Sequence, residues 1–351
     1  MPARRDRRDA VKLLWFGYRI TYNRPMNRGL MSALAVVAVT AAAQNVDRAP
    51  ESAQRSADWP IVLIVPFPPG GSADRVGKLV SAAFEDSLKR PILTRNIPSG
   101  IGVDALTAVV NLAPGEIRLG YATNTQIVPG TLTSRPATYN PSEDFEWIGI
   151  VGTFGNAVVL GPQERATTFE QWLKELPDRP RPVRIGAGAP GSMGMLAAQF
   201  LAATLGGRAE IVSFGAADIG YAMLRKGEID MLIDGLPNAL EEAPRVDGHI
   251  IAVTSKDRAA VLPQVPAFGE RWPGEDYSVF VGLVVSRRET DTIRARLKSG
   301  WYGVNRAGQA RTELTRVGVS YLGLDLDAAP AYMEREFLRH AKLMTRFPTP
   351  H

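Results

Sequence analysis

The chain has 351 residues, of which 45% are hydrophobic and 22% charged, and it contains no cysteine. That length suits two α/β lobes better than one small core, and the absence of cysteine excludes disulfides, thiolate metal sites and a cysteine nucleophile. The formal charge of +5 comes from residues 1–43, with eight basic and two acidic residues; the remainder has 33 basic and 34 acidic residues, a net of −1. We therefore expect no nucleic-acid partner.

Residues 1–43 are predicted to be an N-terminal extension followed by a cleaved secretory signal peptide. A short basic start at Met26 precedes an apolar stretch, residues 30–43, which ends in an A-x-A cleavage site before Gln44. A membrane anchor is the alternative, but the stretch is shorter than a span of about 20 residues. We expect Met26 to be the true start, cleavage after Ala43 and a periplasmic location. Residues 44–58 are polar and are predicted to be a flexible leader.

Two segments share one local pattern: a short apolar strand, a turn rich in glycine and proline, and a helix that begins near a serine. The first spans residues 61–84 and the second residues 183–200. Glycine lets backbone N–H groups approach a ligand closely, and a helix N-terminus favours negative charge. We predict that the two turns face each other and bind a small anion. The expected ligand-binding residues are Pro69, Gly70, Gly71 and Ser72 in the first turn and Gly188, Pro190, Gly191 and Ser192 in the second.

Strand and helix patterns alternate along the rest of the chain, which predicts mostly parallel sheets covered by helices. Ligands of such sheets lie outside the carboxyl ends of the strands. Thr123, Asn124 and Asp234 occupy such ends and are expected at the site, with Phe214 as a pocket wall. The strands are predicted at residues 61–66, 92–96, 117–122, 145–151, 157–160, 183–185, 210–214, 230–234, 249–254 and 279–286. Helices are predicted from residue 74 and at residues 103–112, 172–176, 193–200, 219–226, 293–297, 309–317 and 331–344.

Two segments are candidates for crossings between the lobes, the glycine-rich residues 151–155 and residues 276–282. They predict a first lobe of residues 59–155 and 278–351 and a second lobe of residues 156–277.

Other interpretations of these motifs are weaker. Gly186, Gly188 and Gly191 have the spacing of a dinucleotide-binding fingerprint, but Pro190 distorts the turn, so we expect no cofactor. Ser72 and Ser192 are predicted to cap their helices and to contact the ligand. No histidine is placed to activate either serine as a nucleophile. Asp74 either contacts the ligand or complements the helix dipole. We expect no metal site and no catalytic residue.

Several motifs, taken in order, resemble one known family. They are Ile64-Val-Pro-Phe-Pro-Pro-Gly-Gly-Ser-Ala-Asp74, then Thr123-Asn124, Tyr139-Asn-Pro141, Ala187-Gly-Ala-Pro-Gly-Ser192 and Leu262-Pro-Gln-Val-Pro266. Together they resemble the periplasmic substrate-binding receptors of tripartite tricarboxylate transporters, often called Bug receptors. The resemblance extends from Trp59 to the last predicted helix.

The resemblance implies a two-lobed type II periplasmic binding-protein fold that closes on a small carboxylate and docks on a membrane permease. It implies a receptor rather than an enzyme, and we expect a monomer. Two departures from the family pattern, Ile97-Pro-Ser after Asn96 and Ser213-Phe-Gly-Ala216, remove charged groups. They favour a mono- or dicarboxylate with an apolar or aromatic body over citrate. The alternatives are a receptor for a signalling partner and a periplasmic hydrolase that uses Asp74 and Asp234.

Overall fold

A computed structural model of the chain describes residues 55–99, 101–127, 137–325 and 327–347. The predicted start at Met26, the signal peptide with its cleavage site, and residues 44–54 of the leader lie outside these ranges. Within them, every helix is too short or too polar to traverse a bilayer.

The described residues alternate between strands and helices, as the sequence pattern predicts. The strands are β1 (Ile61–Val65), β2 (Ile92–Asn96), β3 (Ile117–Ala122), β4 (Phe145–Phe154), β5 (Asn156–Leu160), β6 (Val183–Ala187), β7 (Ala209–Ser213), β8 (Met231–Gly235), β9 (His249–Val253), β10 (Val279–Ser286) and β11 (Ser320–Leu324). The helices are α1 (Ser72–Leu88), α2 (Val103–Val110), α3 (Asn124–Ile127), α4 (Phe169–Glu175), α5 (Met193–Thr204), α6 (Ala217–Lys226), α7 (Leu236–Arg245), α8 (Phe268–Arg271), α9 (Asp291–Ala307), α10 (Gln309–Arg316) and α11 (Ala329–Arg346).

These strands form two sheets. The first has the order β11-β4-β10-β3-β1-β2 and the second the order β7-β6-β8-β5-β9. In the first sheet β1 to β4 run one way, while β10 and β11 run the other way. In the second sheet β5 alone opposes the other four strands. The α/β class is confirmed, and both sheets are mixed because the strands next to a crossing pair antiparallel with their neighbours.

The chain passes between the sheets at Gly155, the single residue between β4 and β5, and again between β9 and β10. The last helix also touches both halves. Ala329 and Met333 of α11 pack in an apolar cluster of the first sheet, whereas Leu343 and Met344 pack in a cluster of the second. The lobe limits of residues 59–155 with 278–351 and of residues 156–277 therefore remain a prediction, since α11 belongs to both cores.

The first described residues are fixed to the first sheet's half of the molecule. Arg55 Nε donates to Glu289 at 2.5 Å, and Arg55 Nη1 donates to the carbonyl oxygen of Ala113 at 2.8 Å. Only 4% of the Arg55 side chain and 1% of the Glu289 side chain are exposed. The guanidinium also lies over the ring of Trp59, 4.9 Å from its centre. The sequence predicted that residues 55–58 belong to a flexible leader. The structure instead holds them in place, because the buried ion pair of Arg55 with Glu289 requires both side chains to be fixed.

A buried carboxylate ties β8 to β6. Arg181 donates twice to Asp230, at 2.7 Å each, and the backbone N–H of Arg184 donates at 2.8 Å. Burial opposes ionisation, but the hydrogen bonds from Arg181 and Arg184 outweigh it and hold the pKa of Asp230 far below its ordinary value. A lowered pKa stabilises the fold fully above the ordinary aspartate value of about 3.9, and this stabilisation is lost as the pH falls through the lower native value.

We expect Asp230→Asn to reduce the free energy of unfolding at neutral pH and to flatten its dependence on pH below about pH 4. Urea denaturation at a series of pH values measures both effects. Asp86→Asn is the matched control, because Asp86 pairs with Lys89 on an exposed helix face. Equal acid sensitivity of Asp230→Asn and the unaltered chain would contradict the assignment.

Candidate functional site

The first predicted turn lies between β1 and α1 and is organised by Asp74. The carboxylate of Asp74 accepts hydrogen bonds from the Gly70 N–H at 3.0 Å, Asn96 Nδ2 at 3.0 Å and Lys78 Nζ at 2.8 Å. Burial would raise the pKa of Asp74, but these three donors lower it below its ordinary value. The side chain is only 1% exposed. Asp74 therefore organises the first turn through hydrogen bonds within the protein, and its predicted contact with the ligand stays a prediction.

Ser72 is the first residue of α1 and does not cap it. The cap position is Gly71, and no side chain of the described residues caps the helix there. Ser72 Oγ instead donates to the carbonyl oxygen of Gly235 at 3.0 Å and accepts from the Asn238 N–H at 3.1 Å. The prediction of a cap is wrong for Ser72, and its hydroxyl joins the start of α1 to the start of α7. Among the residues that the structure describes, no side chain accepts a capping hydrogen bond at the start of α1.

The second turn lies between β6 and α5. Ser192 caps α5, as predicted, because its Oγ accepts from the Met195 N–H at 3.2 Å. Within the described part of the chain the hydroxyl hydrogen of Ser192 has no acceptor, so it can be donated to a ligand. The space beside the turn is open: a Cβ built on Gly188 would have only Ser192 Oγ within 4 Å, at 3.8 Å. Pro190 is exposed and Gly191 is buried.

The two turns have the same backbone geometry. Gly70 follows Pro69 with φ of 85°, and Gly191 follows Pro190 with φ of 81°. Both values lie in the left-handed region, which costs an L-residue with a Cβ about 1–2 kcal/mol. Glycine is therefore required at both positions, and each turn delivers the chain to a helix N-terminus, where negative charge is favoured.

Thr123 and Asn124 follow β3 and are both buried. Thr123 donates through its N–H and its hydroxyl to Gln126 Oε1, each at 2.8 Å. Asn124 Oδ1 accepts from the Phe280 N–H at 2.9 Å, and its Nδ2 donates to Glu336 at 3.0 Å. Both side chains thus make hydrogen bonds within the protein. Thr123 bonds to Gln126 of α3, and Asn124 joins α3 to β10 and α11.

Asp234 lies near the end of β8 and is partly buried, as predicted. Met231 and Ile233 face the core beneath α5, so the alternation of the strand turns Asp234 to the other face. There it accepts from Asn238 Nδ2 at 2.7 Å. Burial raises the pKa of Asp234, and the hydrogen bonds from Asn238 and from the Gly235 N–H offset only part of that increase. Asp234 therefore belongs to a polar cluster between α6 and α7.

Phe214 also lies on this face. A Cβ built on Gly220 of α6 would come within 3.0 Å of the Phe214 ring, and the Phe214 side chain packs with the apolar cluster that includes Tyr221. The observed contacts of Phe214 are therefore with α6.

The two predicted turns are brought together at the end of β8. Ser72 at the start of α1 bonds to Gly235 at the end of β8. A Cβ built on Gly194, in the first turn of α5, would lie 3.6 Å from the carbonyl oxygen of Ile233 in the same strand. The starts of α1 and α5 thus flank one strand end, at the junction of the two sheets.

Sequence reasoning missed four residues at this junction: Gln126, Tyr221, Asn238 and His340. Nδ1 of His340 lies 3.0 Å from the carbonyl oxygen of Asn124. One local signal was available for Asn238, which stands four residues after Asp234 and can meet it across a helical turn. Gln126 has a similar signal, because Thr123 lies three residues before it, whereas His340 meets Asn124 from 216 residues away and has no local signature.

Comparison with known proteins agrees with this geometry. The family described as "Tripartite tricarboxylate transporter family receptor" matches residues 76–344, well over half of the chain. The chain belongs to this family. The receptor is 26% identical over 238 residues to the protein BugT of Bordetella pertussis, covering 68% of this chain and 73% of BugT.

Two solved structures share the receptor's fold. One is an R. palustris protein with adipate, with 21% identity, a TM-score of 0.71 and coverage of 82% of this chain and 96% of the other. The second is the periplasmic binding protein BugD, with 17% identity, a TM-score of 0.72 and coverage of 82% and 97%. The predicted two-lobed binding-protein fold is confirmed. Members of this family are periplasmic solute-binding receptors that work with membrane components of a transporter, so the hydrolase alternative is set aside.

Proposed function

We propose that this receptor binds a small carboxylate between its two lobes and delivers it to a tripartite tricarboxylate-type permease. The observation that carries the proposal is the pair of matching turns, in which Gly70 and Gly191 share a left-handed conformation and each turn leads into a helix. Both helix starts adjoin the end of β8. A carboxylate between them would accept from backbone N–H groups and from the Ser192 hydroxyl.

The interaction energy available at two helix N-termini supports an anionic ligand. Each helix terminus contributes about 0.3–1 kcal/mol to a nearby anion and up to about 2 kcal/mol when partly buried. Hydrogen bonds to a charged group add about 1.5–3 kcal/mol each. Two termini with two or three such bonds reach micromolar affinity after ordering costs are subtracted.

The proposal includes the location and the motion of the receptor. Cleavage after Ala43 would release the chain into the periplasm, and residues 59–155 with 278–351 would close against residues 156–277. A ligand that touches both lobes only in the closed form shifts the population toward that form. The closed form is then the one that docks on the permease.

The structure supports an apolar body on the ligand in preference to a third carboxylate. At the positions where the family pattern carries cations, this chain has Ile97, whose side chain packs beside the first sheet's core, and the neutral segment after Ser213. The structural relative with adipate, a linear dicarboxylate, is consistent with this preference. We therefore propose a mono- or dicarboxylate rather than citrate.

A thermal-shift screen of the mature chain, followed by calorimetry, tests the proposal. A ligand that binds only the native state stabilises it by RT ln(1 + [L]/Kd), about 2.7 kcal/mol at a hundredfold excess over Kd. We expect stabilisation by adipate, succinate, malate or an aromatic acid, and none by the corresponding primary amides. Amides that bind as tightly as the acids would refute carboxylate recognition. Tight binding of citrate alone would refute the preference for an apolar body.

A further inference from the structure

Helix α1, in the first sheet's half of the molecule, meets helix α7 of the second sheet's half. Arg75, one turn into α1, donates through Nε to Asn238 Oδ1 at 3.0 Å and through Nη2 to Glu242 at 2.9 Å. Its Nη1 pairs with Glu241. These three partners stand at spacings of three and four residues and therefore share one face of α7. We call this set of bonds the α1–α7 contact.

Asn238 connects the α1–α7 contact to the first predicted turn. Its N–H donates to Ser72 Oγ at 3.1 Å, and its Nδ2 donates to Asp234 at 2.7 Å. Ser72 Oγ in turn donates to the carbonyl oxygen of Gly235 at 3.0 Å. Asn238 is only 1% exposed. A continuous series of hydrogen bonds therefore leads from the surface at Arg75 to the residue that ends the first turn.

The two halves approach each other closely at Gly235. A Cβ built on this glycine would lie 2.8 Å from Ser72 Cβ and 3.2 Å from Phe154 Cε2, and both atoms belong to the first sheet's half. The φ of Gly235 is −56°, which any residue adopts. The absent side chain, and not the backbone conformation, therefore allows this approach.

The α1–α7 contact lies away from the point where the chain crosses between the sheets. At that point the Leu236 N–H donates to the carbonyl oxygen of Gly155 at 3.0 Å. Glu242 stands about 9 Å farther along α7, since a helix rises about 1.5 Å per residue. A rotation of the halves about the crossing therefore moves the partners of Arg75 farther than it moves the start of α7.

The charges in the contact are partly exposed. The exposed fraction is 24% for the side chains of Arg75 and Glu242 and 43% for Glu241. Arg245 of α7 also pairs with both glutamates, so these acids are not stranded when Arg75 leaves. Ion pairs of this exposure are weak and are screened by salt. The contact can thus form and break during a binding cycle, unlike the buried pair of Arg55.

We infer that Arg75 is a positioning residue for ligand binding, whose contact with α7 stabilises the closed form before any ligand is present. This inference rests on the proposed function and names the interaction that favours closure. The apparent affinity of a receptor falls with the fraction of molecules in the binding-competent form. Affinity for the acid therefore depends on a salt-sensitive bond that does not touch the acid.

Small-angle X-ray scattering of the ligand-free receptor tests closure directly. We expect Arg75→Gln to have a larger radius of gyration than the unaltered chain, and about 1 M salt, where the screening length falls to about 3 Å, to have the same effect on the unaltered chain. Arg258→Gln is the matched control. Arg258 makes two hydrogen bonds to Glu270 with 43% of its side chain exposed, but both residues lie in the second sheet's half.

Calorimetry with the best acid from the screen measures the effect on affinity. At about 0.1 M salt we expect Arg75→Gln to bind about fivefold more weakly than Arg258→Gln, as expected for partly exposed ion pairs. At about 1 M salt the difference should shrink to within about twofold. Glu241→Gln/Glu242→Gln should lose a similar factor, and adding Arg75→Gln to it should cost nothing more, because the three side chains form one contact.

Gly235→Ala disturbs the same boundary without changing a charge. Its methyl group should force the halves apart and weaken binding equally at both salt concentrations. Gly215→Ala is the control, because a Cβ built on Gly215 would have no atom within 4 Å. This variant should bind as the unaltered receptor does.

Equal values for Arg75→Gln and Arg258→Gln in either the scattering or the calorimetry would overturn the inference. A loss in Arg75→Gln that stays undiminished at high salt would also overturn it. If no acid binds to the unaltered receptor, the proposed function fails, and the scattering comparison, which needs no ligand, still decides whether Arg75 holds the halves together.

Discussion

Ser192→Asp is expected to abolish carboxylate binding without disturbing the fold, a loss of at least about a hundredfold in affinity, since like charges in contact cost several kcal/mol. Aspartate caps a helix as well as serine does, so the hydrogen bond from the Met195 N–H that holds α5 is kept. The hydroxyl donor, however, becomes a second anion at the place where the ligand's negative charge is proposed to lie. Calorimetry with the best acid from the screen measures the loss.

Thr290→Asp is the matched control for this variant. Thr290 caps α9 in the same way, by accepting from the Ile293 N–H at 3.3 Å, and α9 takes no part in the proposed site. Both variants should unfold at nearly the same temperature as the unaltered receptor. Unchanged affinity in Ser192→Asp would exclude the second turn from carboxylate binding.

Arg55→Leu is expected to lower the free energy of unfolding by about 3–5 kcal/mol, because removing one partner of a buried ion pair strands the other charge. Glu289 would remain almost fully enclosed without its counter-charge. The carbonyl oxygens of Ala113 and Glu116 would also lose their donor, which lies 2.8 Å away in each case. Urea denaturation followed by circular dichroism measures the change.

Arg95→Leu provides the comparison, since Arg95 also makes two hydrogen bonds to a glutamate, Glu116, but 45% of its side chain is exposed. An exposed pair contributes about 0–1 kcal/mol. The double variant Arg55→Leu/Glu289→Leu should recover much of the loss, because it buries no unpaired charge. If Arg55→Leu were no more destabilising than Arg95→Leu, the Arg55–Glu289 pair would not anchor this part of the chain.

Local chemistry explains which parts of the fold the sequence could predict. The two turns were found because proline, glycine and serine in that order are typical of a turn between a strand and a helix. Helix α7 was missed because Pro237 and Pro244 argue against a helix. Pro237 lies in its first turn, where a missing N–H costs nothing, and Pro244 in its last. Strand β11 was missed because its residues are mostly half-exposed and show no apolar run.

Two predicted site residues make hydrogen bonds to partners far along the chain. Ser72 bonds to residues 163 and 166 positions away, and Asn124 to residues 156 and 212 positions away. Sequence reasoning placed both residues correctly at strand ends and helix starts, but no local pattern could show that their side chains were already occupied. Two partners of Asp74, Gly70 and Lys78, are each four residues away. This part of its hydrogen bonding could have been predicted from the local sequence.

The packing of α11 against both cores bears on how the receptor can move. With its first turns packed in the core of the first sheet and its last turns in the core of the second, this helix is a direct link between the two halves. Sliding of the two halves past each other would break the packing of the last turns of α11. Rotation about the axis of this helix is the motion that keeps both of its ends packed.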